Sequence, residues 1–441
     1  MFTKLRFKFE LYFFYFKKNI FFIIFGLILG YLAVNYQNKI INIYQKFVTP
    51  TVKIGYEGLY TISNLPQSIT DQISYGLTQV SQNDKIIISP VVKELSVNQD
   101  KNTYQFKLNP NFVWQDGKKL TSQDIKYNIS GITLSYPSSD TIVITSDKPF
   151  SPLESALTKP LFKKNLVGLG QYFVKDIKYK DGYINYLKLS SPKNPSIIYR
   201  FYQNQTDLIS AFKIGQVDQI NLTQIPLDLE SGWKININKN ISTNTKYAAI
   251  FLNTQKLNIK QLRQALAYAT PKSTDKSDRC LSPISLTSWA YNPSVKEYNF
   301  NPTRAREFFD KNKIDSINLS VGDRSLLTTA ENIKKSWEEI LKIKVNLTVG
   351  QINTNDFDAI IHYGSIPIDP DQYVFWHTTQ AKTNITKLNN PKIDKLLEDG
   401  RETFDITERK RIYQEFQKVL LEESPVIFLS YPTVYTITRV K

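Results

Sequence analysis

The chain holds one cysteine, Cys280, and two histidines, His362 and His377, among its 441 residues. A single thiol excludes an internal disulfide framework and any multi-cysteine metal site. Two histidines are too few for a histidine-rich metal centre or for most acid–base constellations. No Ser-x-x-Lys, His-Glu-x-x-His or Gly-x-Ser-x-Gly arrangement stands out, so an enzyme lacks a site to build on. Low-complexity tracts and internal repeats are also missing, and charged residues make up only 22%. That composition argues against a largely disordered chain. No cofactor, no metal and no enzymatic activity are expected.

Material for real cores is plentiful: 41% of residues are hydrophobic and 13% aromatic. A chain of this length is expected to divide into two or more folding units. The net charge of +16 comes from lysines scattered among Asn, Ile, Tyr and Phe, with no compact basic block. Without a recognisable module, that spread does not make a nucleic-acid footprint.

One membrane-length apolar run stands between Lys18 and Lys39. It matches the roughly 20 residues a helix needs to cross a bilayer. Lys4, Arg6, Lys8, Lys17 and Lys18 precede it, which places the N-terminus inside and everything after Asn38 outside. A cleaved signal peptide is the competing assignment, but Leu32-Ala33-Val34 is a poor cleavage site. No cysteine stands just after the run to take a lipid, since the single one is Cys280. The expectation is an uncleaved transmembrane anchor.

Strand-like pieces dominate up to Lys246, among them Thr141–Thr145 and Ile197–Tyr202. Helical stripes follow. Leu262, Ala265, Leu266 and Ala269 make one apolar face, and Ile333, Trp337, Ile340 and Leu341 another. A helix near Thr407–Glu423 ends at Pro425 and leads into the short apolar strand Val426–Leu429. Such stripes are core rather than cofactor contacts. The mixture suggests α/β lobes with mixed sheets.

The most informative stretch is Thr103–Ser130. Tyr104, Phe106 and Leu108 alternate as in a half-buried strand, Asp116-Gly117 is a turn, and Thr121-Ser122-Gln123-Asp124 fits the capping box of a helix start. In this order the pieces resemble a signature of the substrate-binding proteins of ABC importers, of the peptide and nickel type. Tyr75-Gly76-Leu77, Gly168-Leu169-Gly170-Gln171-Tyr172, Gly215-Gln216-Val217-Asp218, Leu262-Arg263-Gln264-Ala265-Leu266 and Asp369-Pro370-Asp371 are similar to further motifs of that family, in the family's order.

The resemblance implies a two-lobed, periplasmic-binding-protein-like clamshell of α/β mixed sheets, here preceded by one N-terminal transmembrane helix. Its expected divisions are 1–48 for the stub, anchor and linker, 49–246 for lobe I, 247–424 for lobe II and 425–441 for a return to lobe I. Ligand would lie in the cleft and select a closed state by a hinge motion. In peptide-binding members the ligand backbone lies beside short strands from each lobe. Carried over by position, that implies Ser74, Tyr75 and Gly76 from the first lobe and Tyr363, Gly364, Ser365 and Ile366 from the second. Glu57-Gly58-Leu59 is set aside because it precedes Asn64-Leu65-Pro66. Trp289 could floor the cleft, although a structural role suits it as well. Ile366 stands where several members carry an aspartate that grips the ligand's amino group. Either Asp369 or Asp371 then serves, or the ligand has no free amine there; turn chemistry beside proline is the plainer role for both aspartates. His362 and His377 are expected to be structural or exposed.

The function so implied is a membrane-anchored extracytoplasmic receptor, monomeric, that captures a peptide or similar solute and delivers it to an ABC permease. Its partners would be that solute, the permease and the bilayer, with no nucleic acid. A ligand sensor or surface-interaction protein on the same scaffold is the alternative, since fold does not fix function.

Overall fold

The computed structural model describes residues 13–21, 24, 26, 30, 51–81, 85–232, 234–350, 353, 354 and 356–440. Among these residues no helix is long and apolar enough to cross a membrane. The expected anchor falls mostly outside the described residues.

Two large sheets, with smaller ones of four and two strands, organise the other described residues. The first has seven strands, in the order Ile235–Ile241, Thr433–Arg439, Gln219–Leu222, Val52–Glu57, Ile197–Tyr202, Tyr183–Ser190 and Phe173–Lys180. Val52–Glu57 is its centre and runs parallel to both neighbours. Leu208, Ala211 and Phe212 of helix Gln205–Lys213 pack with Val217 and Ile220 on this sheet. Leu65, Ile69 and Ile73 join Leu187, Leu189 and Tyr199 in a separate core cluster. Asn204 accepts the Asp207 N–H at 2.9 Å and so supplies the N-cap of helix Gln205–Lys213.

A four-stranded antiparallel sheet, ordered Val92–Val97, Thr103–Leu108, Thr141–Ser146 and Ile132–Ser138, carries the signature stretch. Tyr104, Phe106 and Leu108 are buried, as their alternation predicts. The capping box also forms: the Asp124 carboxylate accepts the Thr121 N–H at 2.9 Å and the Trp114 indole N–H at 3.2 Å. The expected helix does not follow. Ser122–Asp124 is one 3-10 turn, after which Ile125 is extended and Gly131 turns at φ 76° into the next strand. The few residues between cap and strand are too short a stretch to repay helix nucleation.

The second sheet has five strands, in the order Lys344–Val349, Ser316–Val321, Ala359–Ser365, Lys246–Leu252 and Val426–Ser430. Lys246–Leu252 is covered on both faces. Ala248, Ile250 and Leu252 enter one core cluster, while Tyr247, Ala249 and Phe251 enter the other. Helices Lys260–Ala269 and Leu327–Leu341 close the first face, where Trp337 is fully buried and its indole N–H reaches Thr270 Oγ1 at 3.0 Å. Helix Ile406–Glu423 closes the second with Tyr413, Phe416 and Leu420. The Arg263-Gln264 pair of the sequence motif has a physical role here. Gln264 donates to the Glu422 carbonyl at 2.9 Å and Arg263 to the Glu423 carbonyl at 2.6 Å, which satisfies the end of helix Ile406–Glu423.

The chain passes between the two lobes twice, and Ser242 N–H bonds the Pro432 carbonyl at 3.0 Å where the crossings meet. The return to the first lobe was expected at residue 425. Instead Val426–Ser430 pairs antiparallel with Lys246–Leu252 in the second sheet, and only Thr433–Arg439 joins the first. The boundary moves because Val426, Ile427, Phe428 and Leu429 are buried on both faces of the second sheet.

Candidate functional site

Strand Ser316–Val321 lies between Lys344–Val349 and Ala359–Ser365 and is parallel to both. The chain leaves it toward one side and comes back on the other, so the connections diverge at its carboxyl end. Such switch points are where open α/β sheets hold ligands.

The local register opens a strand edge at that point. Pairing between Ser316–Val321 and Ala359–Ser365 ends at Val321↔Ile361. Ala359–Ser365 continues to Ser365, still paired with Lys246–Ala249 on its other side. His362, Tyr363, Gly364 and Ser365 therefore run past the neighbouring strand.

Beside this edge lies a cavity of about 360 Å³. Its floor is Tyr247, Phe251 and Ile360, and its cover comes from helix Tyr373–Trp376 and the following loop through Phe375, Trp376 and Ile385. Trp376 is held by its indole N–H, which donates to Gln372 Oε1 at 3.2 Å. Polar groups are few: His362, Ser365, Lys382 and the threonines at 354, 383 and 386. A mostly apolar cavity with a few convergent polar groups is the usual form of a ligand site.

Around the strand edge, Tyr363 holds its hydroxyl 3.2 Å from Ser325 Oγ, and Lys246 Nζ stands 4.2 Å above the Tyr363 ring. Asp323 accepts the Ser325 N–H at 2.9 Å. Across the cleft stands Glu57, at the carboxyl end of the central strand of the first sheet. Partial desolvation, and then the like charge of Asp323, hold the Glu57 carboxyl above its ordinary range.

Of the residues expected from sequence, Tyr363, Gly364 and Ser365 all border this cavity, although Tyr363 packs against the core cluster on the opposite face of the sheet. The others stand elsewhere. Ser74 is buried; its hydroxyl donates to the Leu161 carbonyl and accepts the Leu169 N–H at 3.0 Å. Tyr75 packs edge-on against Phe112 and its carbonyl accepts the Leu161 N–H. Gly76 is a packing residue: a Cβ there would meet the Leu157 carbonyl oxygen at 2.2 Å. Ile366 does not face the cavity but is buried in the core cluster with Tyr247 and Trp376, because the strand has ended and its N–H is tied to Thr245 O. Trp289 packs on the same cluster, 6.5 Å from the Tyr413 ring.

Asp369 and Asp371 are both committed. Arg409 holds Asp369 through two hydrogen bonds of 2.6 and 2.9 Å, and Arg401 holds Asp371 at 2.8 Å and 3.0 Å. Neither acid is left as the free partner for a ligand amine that the sequence suggested. His377 is buried, with Nδ1 2.8 Å from Thr379 Oγ1, in keeping with its expected structural role. His362 lines the cavity, which the sequence did not suggest. Its only signal was adjacency to Tyr363. Phe375 and Trp376 were also missed; their pairing just after Asp371 in the sequence was the available clue.

Comparison with known proteins gives the family and the fold. The model of the bacterial extracellular solute-binding proteins, family 5 (middle region), matches residues 131–386, more than half of the chain. A probable D,D-dipeptide-binding periplasmic protein of Escherichia coli is 22% identical, over 75% of this chain and 76% of that protein. The oligopeptide-binding protein AppA of Bacillus subtilis is 22% identical, over 86% and 84% respectively. The crystal structure of NikZ from Campylobacter jejuni, in complex with Ni(L-His), superposes with a TM-score of 0.76 at 20% identity, covering 89% of this chain and 94% of that one. At that identity the likeness speaks for the fold, a two-lobed binding protein.

Proposed function

The chain belongs to the family 5 bacterial extracellular solute-binding proteins, which bind transport substrates and are not enzymes, and we propose that it captures a peptide between its lobes. The observation that carries this reading is the strand edge at His362–Ser365, which runs beyond its neighbour directly beside an apolar cavity. An extended ligand chain added there would gain main-chain hydrogen bonds whatever its sequence, with side chains alternating between the cavity and the opposite face. Tyr363, Gly364 and Ser365 are its contacts in this proposal; Ser74, Tyr75 and Gly76 support the lobe.

The rest of the reading follows from this role. Residues 49–246 would form the first lobe and 247–424 most of the second, closing on the ligand about the crossings near Ser242 and Pro432. The protein would work as a monomer outside the membrane, tethered by the apolar run at 18–39, and deliver its cargo to an ABC permease.

The test is thermal-shift and calorimetric screening of the full-length chain in lipid nanodiscs. The panel holds short peptides, a nickel–histidine chelate and unrelated solutes. A ligand that binds only the folded state raises the melting temperature by mass action. Peptides should do so. A rise with the chelate and none with any peptide would replace this reading by a metal-chelate receptor.

A further inference from the structure

We infer that the cavity beside the strand edge is a selective side-chain pocket, which takes one bulky apolar or aromatic residue of the bound peptide and disfavours a basic one; this rests on the peptide reading above.

The register gives the reason for one residue. Side chains of an added strand alternate between the two faces of the sheet. Tyr247, Ala249 and Phe251 mark the cavity face, and Gly364 is paired with Tyr247. Tyr363 lies on the opposite face with Ala248 and is packed against the other core cluster. Successive ligand residues would thus meet the cavity and then the Tyr363–Ser325–Asp323 face.

The lining gives the reason for bulk and apolarity. Tyr247, Phe251, Ile360, Phe375, Trp376 and Ile385 supply most of the wall. An apolar cavity of about 150 Å³ already accepts benzene, and this one measures about 360 Å³. It therefore has room for a phenyl or indole group and wastes contact on a methyl. Removing such a group from water into aromatic walls favours Phe or Trp over Ala on the order of tenfold to a hundredfold.

The charges give the reason for excluding a basic residue. Among the described lining residues, Lys382 alone has a fixed charge; no carboxylate lines the cavity, and no described group pairs with this lysine. A lysine or arginine side chain entering there would lose hydration, find no counter-charge and meet Lys382. Burial of a charge without a partner is strongly unfavourable.

The experiment measures the full-length chain by calorimetry against tri-alanine and against tripeptides with Phe, Trp, Glu or Lys at each position in turn. At one position, Phe or Trp should bind at least tenfold tighter than Ala, and Lys weakest. Two variants localise the effect. Phe375→Ala removes one wall of the cavity, and Thr354→Trp fills it from an exposed loop position with little risk to the core. Both should shrink the preference, with melting curves of the free variants confirming that they fold. If Phe375→Ala unfolds, Thr354→Trp decides the matter. Tight binding of all tripeptides alike, or a preference untouched by Thr354→Trp, overturns the pocket and leaves the peptide reading in place. Absence of binding by every peptide overturns the peptide reading itself, and the inference with it.

Discussion

Arg409 closes two nitrogens of its guanidinium on the two carboxylate oxygens of Asp369, at 2.6 and 2.9 Å, with the two side chains only 7% and 11% exposed. This fork removes from the cleft an acid that the sequence offered as a ligand contact. Breaking one half of such a buried pair leaves an uncompensated charge, at a cost of about 3–5 kcal/mol. Arg409→Met should therefore lower unfolding free energy by that order in urea melts. The double variant Arg409→Met, Asp369→Leu should recover much of the loss. Similar stability of wild type and Arg409→Met would show that the pair carries little.

With Asp369 and Asp371 both held by arginines, the peptide amine has no claim on either. Acetylating the amino end of a bound peptide is expected to change affinity less than tenfold, about 1.4 kcal/mol, in calorimetry. A loss on the order of a hundredfold, about 2.7 kcal/mol, would mean that an acid still grips the amine. Glu57 and Asp323, which face each other across the cleft, would then be the residues to substitute.

Two glycines separate packing from binding. At Gly76 an added Cβ would lie 2.2 Å from a backbone oxygen, that of Leu157, which cannot rotate away. At Gly364 it would lie 2.3 Å from the ring of Tyr247, a side chain packed 5.0 Å from Phe428. Gly364→Ala should cost about 1–3 kcal/mol, the usual range for overpacking, and weaken peptide binding because the Tyr247 ring is a cavity wall. Gly76→Ala should be the more destabilising of the two in chemical denaturation. The reverse order would contradict the packing described here.

Burial pushes the Cys280 thiol up to about 12, and the sulfur also bonds the Ser282 carbonyl at 3.3 Å. Thiolate is the reactive form. At pH 8 the folded protein should resist a disulfide-exchange reagent for hours and release one equivalent of thiol on unfolding in urea. Rapid labelling of the native protein would place Cys280 outside the core.

The Glu57 carboxyl is raised from its ordinary 4.5 by desolvation and by Asp323. A carboxyl with a raised folded value favours the folded state at low pH. Its contribution is complete below 4.5 and is lost as pH rises through the higher folded value. Across that window Glu57→Gln should flatten the fall in melting temperature relative to wild type. Parallel curves for the two proteins would remove Glu57 from the cleft electrostatics.

Much of this architecture was legible in the chain. Alternation at Tyr104, Phe106 and Leu108, the stripe at Leu262–Ala269 and the stop at Pro425 each depend on neighbours in sequence, and each formed as read. The capping box at Thr121–Asp124 was equally legible, but the helix beyond it was not, because helix growth depends on how soon the next strand claims the chain.

The order of the motifs by itself pointed to the family and singled out Tyr363, Gly364 and Ser365, which border one cavity. Only the tertiary structure decided which groups there are free. Ile366 looked like a lost ligand contact and proved to be core, because the strand stops one residue earlier. Asp369 looked available and is taken by Arg409, 40 residues away in sequence. The strand edge itself exists only because Ala359–Ser365 outruns Ser316–Val321 in register. Periodicity and capping are local and can be read along a chain; ion pairing and register couple residues that meet only after folding.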